Sequence, residues 1–178
     1  MSKELVKDRV IRYLIEDLLV PQDMIDTNVL LSEFEEGAEG VLDIIVNVKD
    51  NEDYFVPVML IKCLDEDIAL EGEVLQKQGE FLEDADNITS AGRIILTNGN
   101  DMVYADWKGE EYDTESDIPK YEVMVAEFEE MEAKANELEK THDHEGCGCN
   151  HGEDHECCGG HNHDHEENHE CGCGHNHK

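Results

Sequence analysis

Residues 1–140 contain no histidine, and Cys63 is their one cysteine. The missing imidazoles remove the commonest general base and any Ser–His–Asp or Cys–His device from this stretch. Positive charge is also scarce. Thirteen Lys and Arg face 46 Asp and Glu, for a formal charge of −33, and residues 1–140 alone stand near −25. Such a surface repels phosphate backbones, whereas nucleic-acid binding is normally driven by Lys and Arg neutralising phosphates. The same acidity fits a solubility adaptation to a salty cytoplasm. Long apolar runs are absent too. Nothing approaches the roughly 18 apolar residues of a membrane span, and the start MSKELVKDRV has no apolar core of a signal peptide. The expectation is a cytosolic protein without membrane partners. The segment Gly37 to Gly40 lacks the Gly-Lys-Ser/Thr ending of a phosphate loop.

What is present centres on Val41 to Val48, VLDIIVNV, an almost wholly apolar run interrupted near its start by Asp43. Apolar residues on both faces indicate a central strand covered on both sides. An acid buried there needs a partner, a metal or a proton; an acid at the strand's exposed end needs none.

The other elements follow from periodicity and punctuation. Ser2 to Val20 reads as an amphipathic helix, with Ser2 as N-cap and Pro21 as its stop. Val29 to Phe34 is the first strand, followed by a turn through Gly37 and Gly40. Asp50 to Asp53 makes a hairpin turn into a third strand, Tyr54 to Cys63, in which Pro57 marks an edge or bulge. Asp67 to Asp84 is a second helix, Gly92 to Leu96 a fourth strand and Met102 to Trp107 a fifth. The Asn98-Gly99 pair favours a tight hairpin between the last two. A third helix covers about Tyr121 to Lys140 with a thin apolar stripe and a very charged back. Tyr104, Trp107, Tyr112 and Tyr121 read as core or half-buried positions, and Cys63 as a small buried hydrophobe. The order α-β-β-β-α-β-β-α predicts an α/β (α+β) fold, a mixed sheet flanked by helices.

These residues resemble a known family. Asp43 on the second strand, Lys62 at the end of the next, Gln78 on the following helix and the Leu96-Thr97-Asn98-Gly99 turn are similar to the N-terminal domain of the type I restriction enzyme R subunit. That family is a branch of the PD-(D/E)xK nuclease, or restriction-endonuclease-like, fold. The resemblance spans roughly residues 5 to 120, and the strand followed by Thr-Asn-Gly is its most specific part. It implies Mg²⁺ held by Asp43 and by an acid two residues before Lys62, and a lysine helping to activate water for phosphodiester cleavage. It further implies Gln78 as the helix glutamine and Glu33 or Glu35 as an auxiliary acid. The sequence departs from the pattern at Leu60, which stands where the second acid belongs; aligning Lys62 to the acid instead puts Leu64 at the lysine. Either way one essential group is lost, and a hard divalent cation is left short of oxygen ligands. Asp65, Glu66 and Asp67 would substitute only after a register shift. The expectation is a non-catalytic or weakly catalytic relative, with DNA binding open. A complete type I enzyme is not expected, since these residues contain no ATPase motor.

From Thr141 the composition changes to His, Cys, Gly, Asp, Glu and Asn. All ten His lie beyond residue 141 and six of the seven Cys beyond residue 146. With almost no apolar residue the segment cannot bury a core, and it is expected to be disordered without metal. It also repeats. The unit running from His155 through Cys157, Cys158 and His161 to His163 recurs as His169, Cys171, Cys173, His175 and His177, and a looser copy runs through His144, Cys147, Cys149 and His151. Two thiolates and several imidazoles per unit suit tetrahedral coordination of Zn²⁺, or of Ni²⁺-type transition-metal ions. In a reducing compartment this clustering reads as ligation rather than disulfides. The spacing is not that of a zinc finger, so several exchangeable sites are expected rather than one structural site.

Three segments result: a restriction R-subunit-like domain over 1–118, an acidic helix over 119–140, and the His/Cys-rich tail over 141–178. Partners expected besides metal ions are a client protein or restriction–modification subunits. The alternatives are a Mg²⁺-dependent endonuclease and a metallochaperone or metal-storage protein.

Overall fold

A computed structural model describes residues 1–142, with side chains to 138; the tail repeats lie outside the described residues. The elements are α1 (Lys3–Glu16), β1 (Ile25–Leu30), β2 (Val41–Lys49), β3 (Phe55–Cys63), α2 (Gly72–Thr89), β4 (Arg93–Thr97), β5 (Met102–Trp107), β6 (Tyr112–Asp113) and α3 (Tyr121–His142). Short 3-10 turns at Gln22–Met24 and Leu31–Glu33 flank β1. Six strands form one mixed sheet in chain order, β1 to β6. All neighbours are antiparallel except β3 and β4, which run parallel because α2 carries the chain across between them. The expected α+β class and mixed sheet are therefore observed, with β6 as an unforeseen two-residue edge.

The sheet is buried on both faces. Val6, Val10 and Leu14 of α1 and Met124 and Phe128 of α3 pack with Ile44, Val46, Met59, Ile61 and Ile95. On the other face Leu82 and Ala85 of α2 pack with Ile45, Leu60, Ile94 and Leu96. This two-sided cover is why β2 and β3 read as continuous apolar runs: Leu42 to Val48 is buried without interruption.

Boundaries moved where local chemistry overrode periodicity. The predicted strand Val29–Phe34 is instead β1 over Ile25–Leu30 followed by a 3-10 turn, because the Glu33 carboxylate accepts the Leu30 amide at 3.2 Å and turns the chain. α1 ends at Glu16 rather than Val20, since Leu19 takes a left-handed φ of 60° that no helix continues through. α2 begins at Gly72, five residues beyond the expected Asp67, and runs on to Thr89. Pro57 does mark a bulge: the β2–β3 register shifts between Val46 and Asn47, and Pro57 precedes the Leu60–Cys63 stretch that pairs with β4. The β4–β5 hairpin turns over four residues, and Asn98 closes it by accepting the amides of Asn100 and Asp101. Among the described residues no helix is long and apolar enough to cross a membrane.

Candidate functional site

Asp43 is 2% exposed. It lies inside the protein and not at an open strand end, so its charge must be answered locally. Three groups answer it. Lys3 Nζ at the start of α1 is 2.6 Å from Oδ1. The Cys63 backbone N–H donates to Oδ2 at 2.9 Å, and Lys62 Nζ lies 3.7 Å from the same oxygen. A side chain thus takes a strand amide, and both β-ladders pass over Asp43: registered pairs go from Leu42 to Ile44 against β1 and start at Ile44 against β3.

Lys62 is shaped by its own surroundings. Its ammonium donates to the Val41 carbonyl at 2.7 Å and sits 4.8 Å from the centre of the Phe81 ring of α2. Burial depresses its pKa, opposed in part by Asp43 and reinforced by Lys3. Gly40 makes room for Phe81: a Cβ on Gly40 would come within 2.5 Å of the ring. Cys63 is fully buried, and burial followed by the neighbouring Asp43 charge pushes its thiol up to about 12. It is inert as a nucleophile at neutral pH.

The pair named from sequence, Asp43 and Lys62, is brought together. Gln78 stands half-buried one turn before Phe81 on α2 and makes no hydrogen bond to either. Glu33 is exposed and engaged with Leu30. Leu60, where the resemblance would call for a second acid, is fully buried in the core facing α2. Asp65 and Glu66 are used differently. Asp65 takes the Lys3 amide at 2.6 Å, and Glu66 pairs with the N-terminal ammonium at 2.6 Å. Asp65 thereby does the capping expected of Ser2, which occupies the N-cap position without a side-chain cap bond. Lys3 is the partner that sequence reading missed; nothing in a helix-start lysine forecasts contact with a strand forty residues away.

Among the described residues no three His, Cys, Asp or Glu side chains gather where they could hold a metal ion. The Asp43 carboxylate has two cations and an amide where Mg²⁺ would need several oxygens. Its chemistry is that of a charge-balanced anchor between α1, β2 and β3. Comparison of the chain with protein-family models, curated proteins and solved structures finds no match.

Proposed function

We propose that this chain binds transition-metal ions in the cytoplasm, through a His/Cys-rich tail carried on a non-catalytic or weakly catalytic body of the restriction R-subunit N-terminal kind. The observation that carries the reading is a contrast in donor sets. Asp43 is satisfied by Lys3, Lys62 and the Cys63 amide, and Leu60 replaces the second acid, which leaves a hard cation without its oxygens. The tail offers thiolates and imidazoles in repeated units, the donors that Zn²⁺ and Ni²⁺ prefer.

Charge supports a body that does not grip nucleic acid. Lys3, Lys7, Lys62, Arg93 and Lys108 each already face a carboxylate. A client protein or restriction–modification subunit is the partner this reading allows. The 3.7 Å approach of Lys62 to Asp43 favours a second reading, a Mg²⁺-dependent endonuclease, which Leu60 opposes. A metallochaperone or storage role is the version in which the body only docks to a client.

Equilibrium dialysis against Zn²⁺ and Ni²⁺ tests the proposal. The full chain is expected to take up several ions and a chain ending at Lys140 essentially none; equal stoichiometry would remove the tail from the function.

A further inference from the structure

A second buried carboxylate has no counter-charge. Asp86, in the last turns of α2, is 7% exposed. Its Oδ1 accepts the Gly92 amide at 2.7 Å, and its Oδ2 accepts the Tyr112 hydroxyl at 2.6 Å. Both donors are neutral. Asp43 is answered by two lysines, whereas among the described residues no ion pair reaches Asp86. An ionised carboxylate kept in this state is stabilised by two hydrogen bonds and retains acceptor capacity for about two more.

Asp86 forms part of the wall of an open cavity of about 440 Å³, together with Glu83, Asn87, Ser90, Trp107 and Tyr112. Three features of that cavity favour the same kind of occupant. The C-terminus of α2 points its partial negative charge there and has no basic side chain in its last turn. Glu83 adds a second carboxylate at the rim. Trp107 and Tyr112 supply aromatic surface, their rings 5.0 Å apart at 64°, and Trp107 remains 44% exposed. An exposed indole beside an uncompensated carboxylate is a cation–π and ion-pair site in one wall.

We infer that this cavity binds a small organic cation bearing N–H donors, an alkylammonium or guanidinium compound. The free acceptor capacity of Asp86 selects N–H donors over quaternary ammonium. The aromatic wall selects an organic cation over a hydrated metal ion, and among the described residues no third His, Cys, Asp or Glu joins the two carboxylates. The volume lies in the usual range for small-ligand pockets. The site is independent of Asp43 and of the tail chemistry.

Trp107 is the only tryptophan in the chain, so intrinsic fluorescence of the full-length protein reports on its surroundings; it also lines the neighbouring cleft of Arg93 and Glu127, and the Asp86 and Glu83 variants assign the response to this cavity. Agmatine, which carries both an ammonium and a guanidinium, is titrated at about 150 mM salt to screen the general acidity of the surface. The expected result is a saturable change in Trp107 emission, weakened about tenfold by Asp86→Asn and about threefold by Glu83→Gln, with phenylacetate giving no response. Circular dichroism checks that each variant keeps its fold, and Glu83→Gln decides the matter if Asp86→Asn does not. An emission change that never saturates, an affinity unchanged within about twofold in the folded variants, or equal binding of phenylacetate each overturns the assignment.

Discussion

Lys3 Nζ lies 2.6 Å from Asp43 Oδ1, and this ion pair ties the first turn of α1 to the buried start of β2. The two ends of the pair are unequal. The Asp43 side chain is 2% exposed and that of Lys3 37%. Removing the carboxylate therefore leaves Lys62 desolvated without its counter-charge and the Cys63 amide unpaired, whereas removing Lys3 exposes only part of the anion to water.

Asp43→Ala is expected to cost about 3–5 kcal/mol, as for breaking a buried pair. Lys3→Ala is expected to cost about 1 kcal/mol or less, as for a pair with a solvent-exposed partner. Urea unfolding of both variants checks the order; equal costs would mean that the Asp43 environment is not desolvated.

Stability is expected to fall above pH 9. The Cys63 thiol is raised from 9 to about 12 in the folded chain, so the unfolded chain loses its proton first. That contribution is complete below pH 9 and is lost as pH rises toward 12. Tyr104 adds the same sign from pH 10, its hydroxyl raised to about 12 chiefly by burial. Lys62 acts oppositely, because its depressed folded value returns stability as pH rises toward 10.5. Each fully titrating group changes stability by about 1.4 kcal/mol per pH unit. Between pH 9 and 10, under reducing conditions, Cys63→Ala is expected to flatten the slope of unfolding free energy against pH by about that amount; an unchanged slope contradicts it.

Gly40 and Gly37 both hold positive φ, 127° and 87°, but only Gly40 faces a neighbour. Gly40→Ala is expected to cost about 2–3 kcal/mol, from backbone strain plus displacement of Phe81 off Lys62, and Gly37→Ala about 1 kcal/mol from strain alone. Chemical denaturation of the two alanine variants distinguishes the terms.

With Asp43 already held by Lys3, Lys62 and the Cys63 amide and a buried leucine at position 60, the full chain is expected to leave plasmid intact in Mg²⁺ or Mn²⁺. Cleavage abolished by Asp43→Ala would establish the nuclease reading instead.

A formal charge of −33 makes the folded chain repel itself. Raising salt from about 0.05 to 0.5 M shortens the screening length from roughly 14 to 4 Å and is expected to raise the melting temperature. A falling melting temperature would mean that screened ion pairs outweigh the repulsion.

Periodicity and punctuation alone determined the order of the elements apart from the two-residue β6, with β2 almost to the residue, because a strand covered on both faces must be apolar throughout, and β5 to the residue, because the Asn98-Gly99 turn precedes it. That Asp43 and Lys62 stand close together was expected from the family resemblance, and the antiparallel β2–β3 pair brings them to 3.7 Å. The donor repeats of the tail are sequence facts that lie outside the described residues. Tertiary structure decided the rest. Lys3 meets Asp43, Asp65 caps α1 in place of Ser2, and Asp86 meets Tyr112 and Trp107 lines the same cavity, each through contacts between residues far apart in the chain. Local propensity carries no information about such contacts. Packing of helices onto the sheet creates them, and with them the difference between a carboxylate that is neutralised and one that is left open.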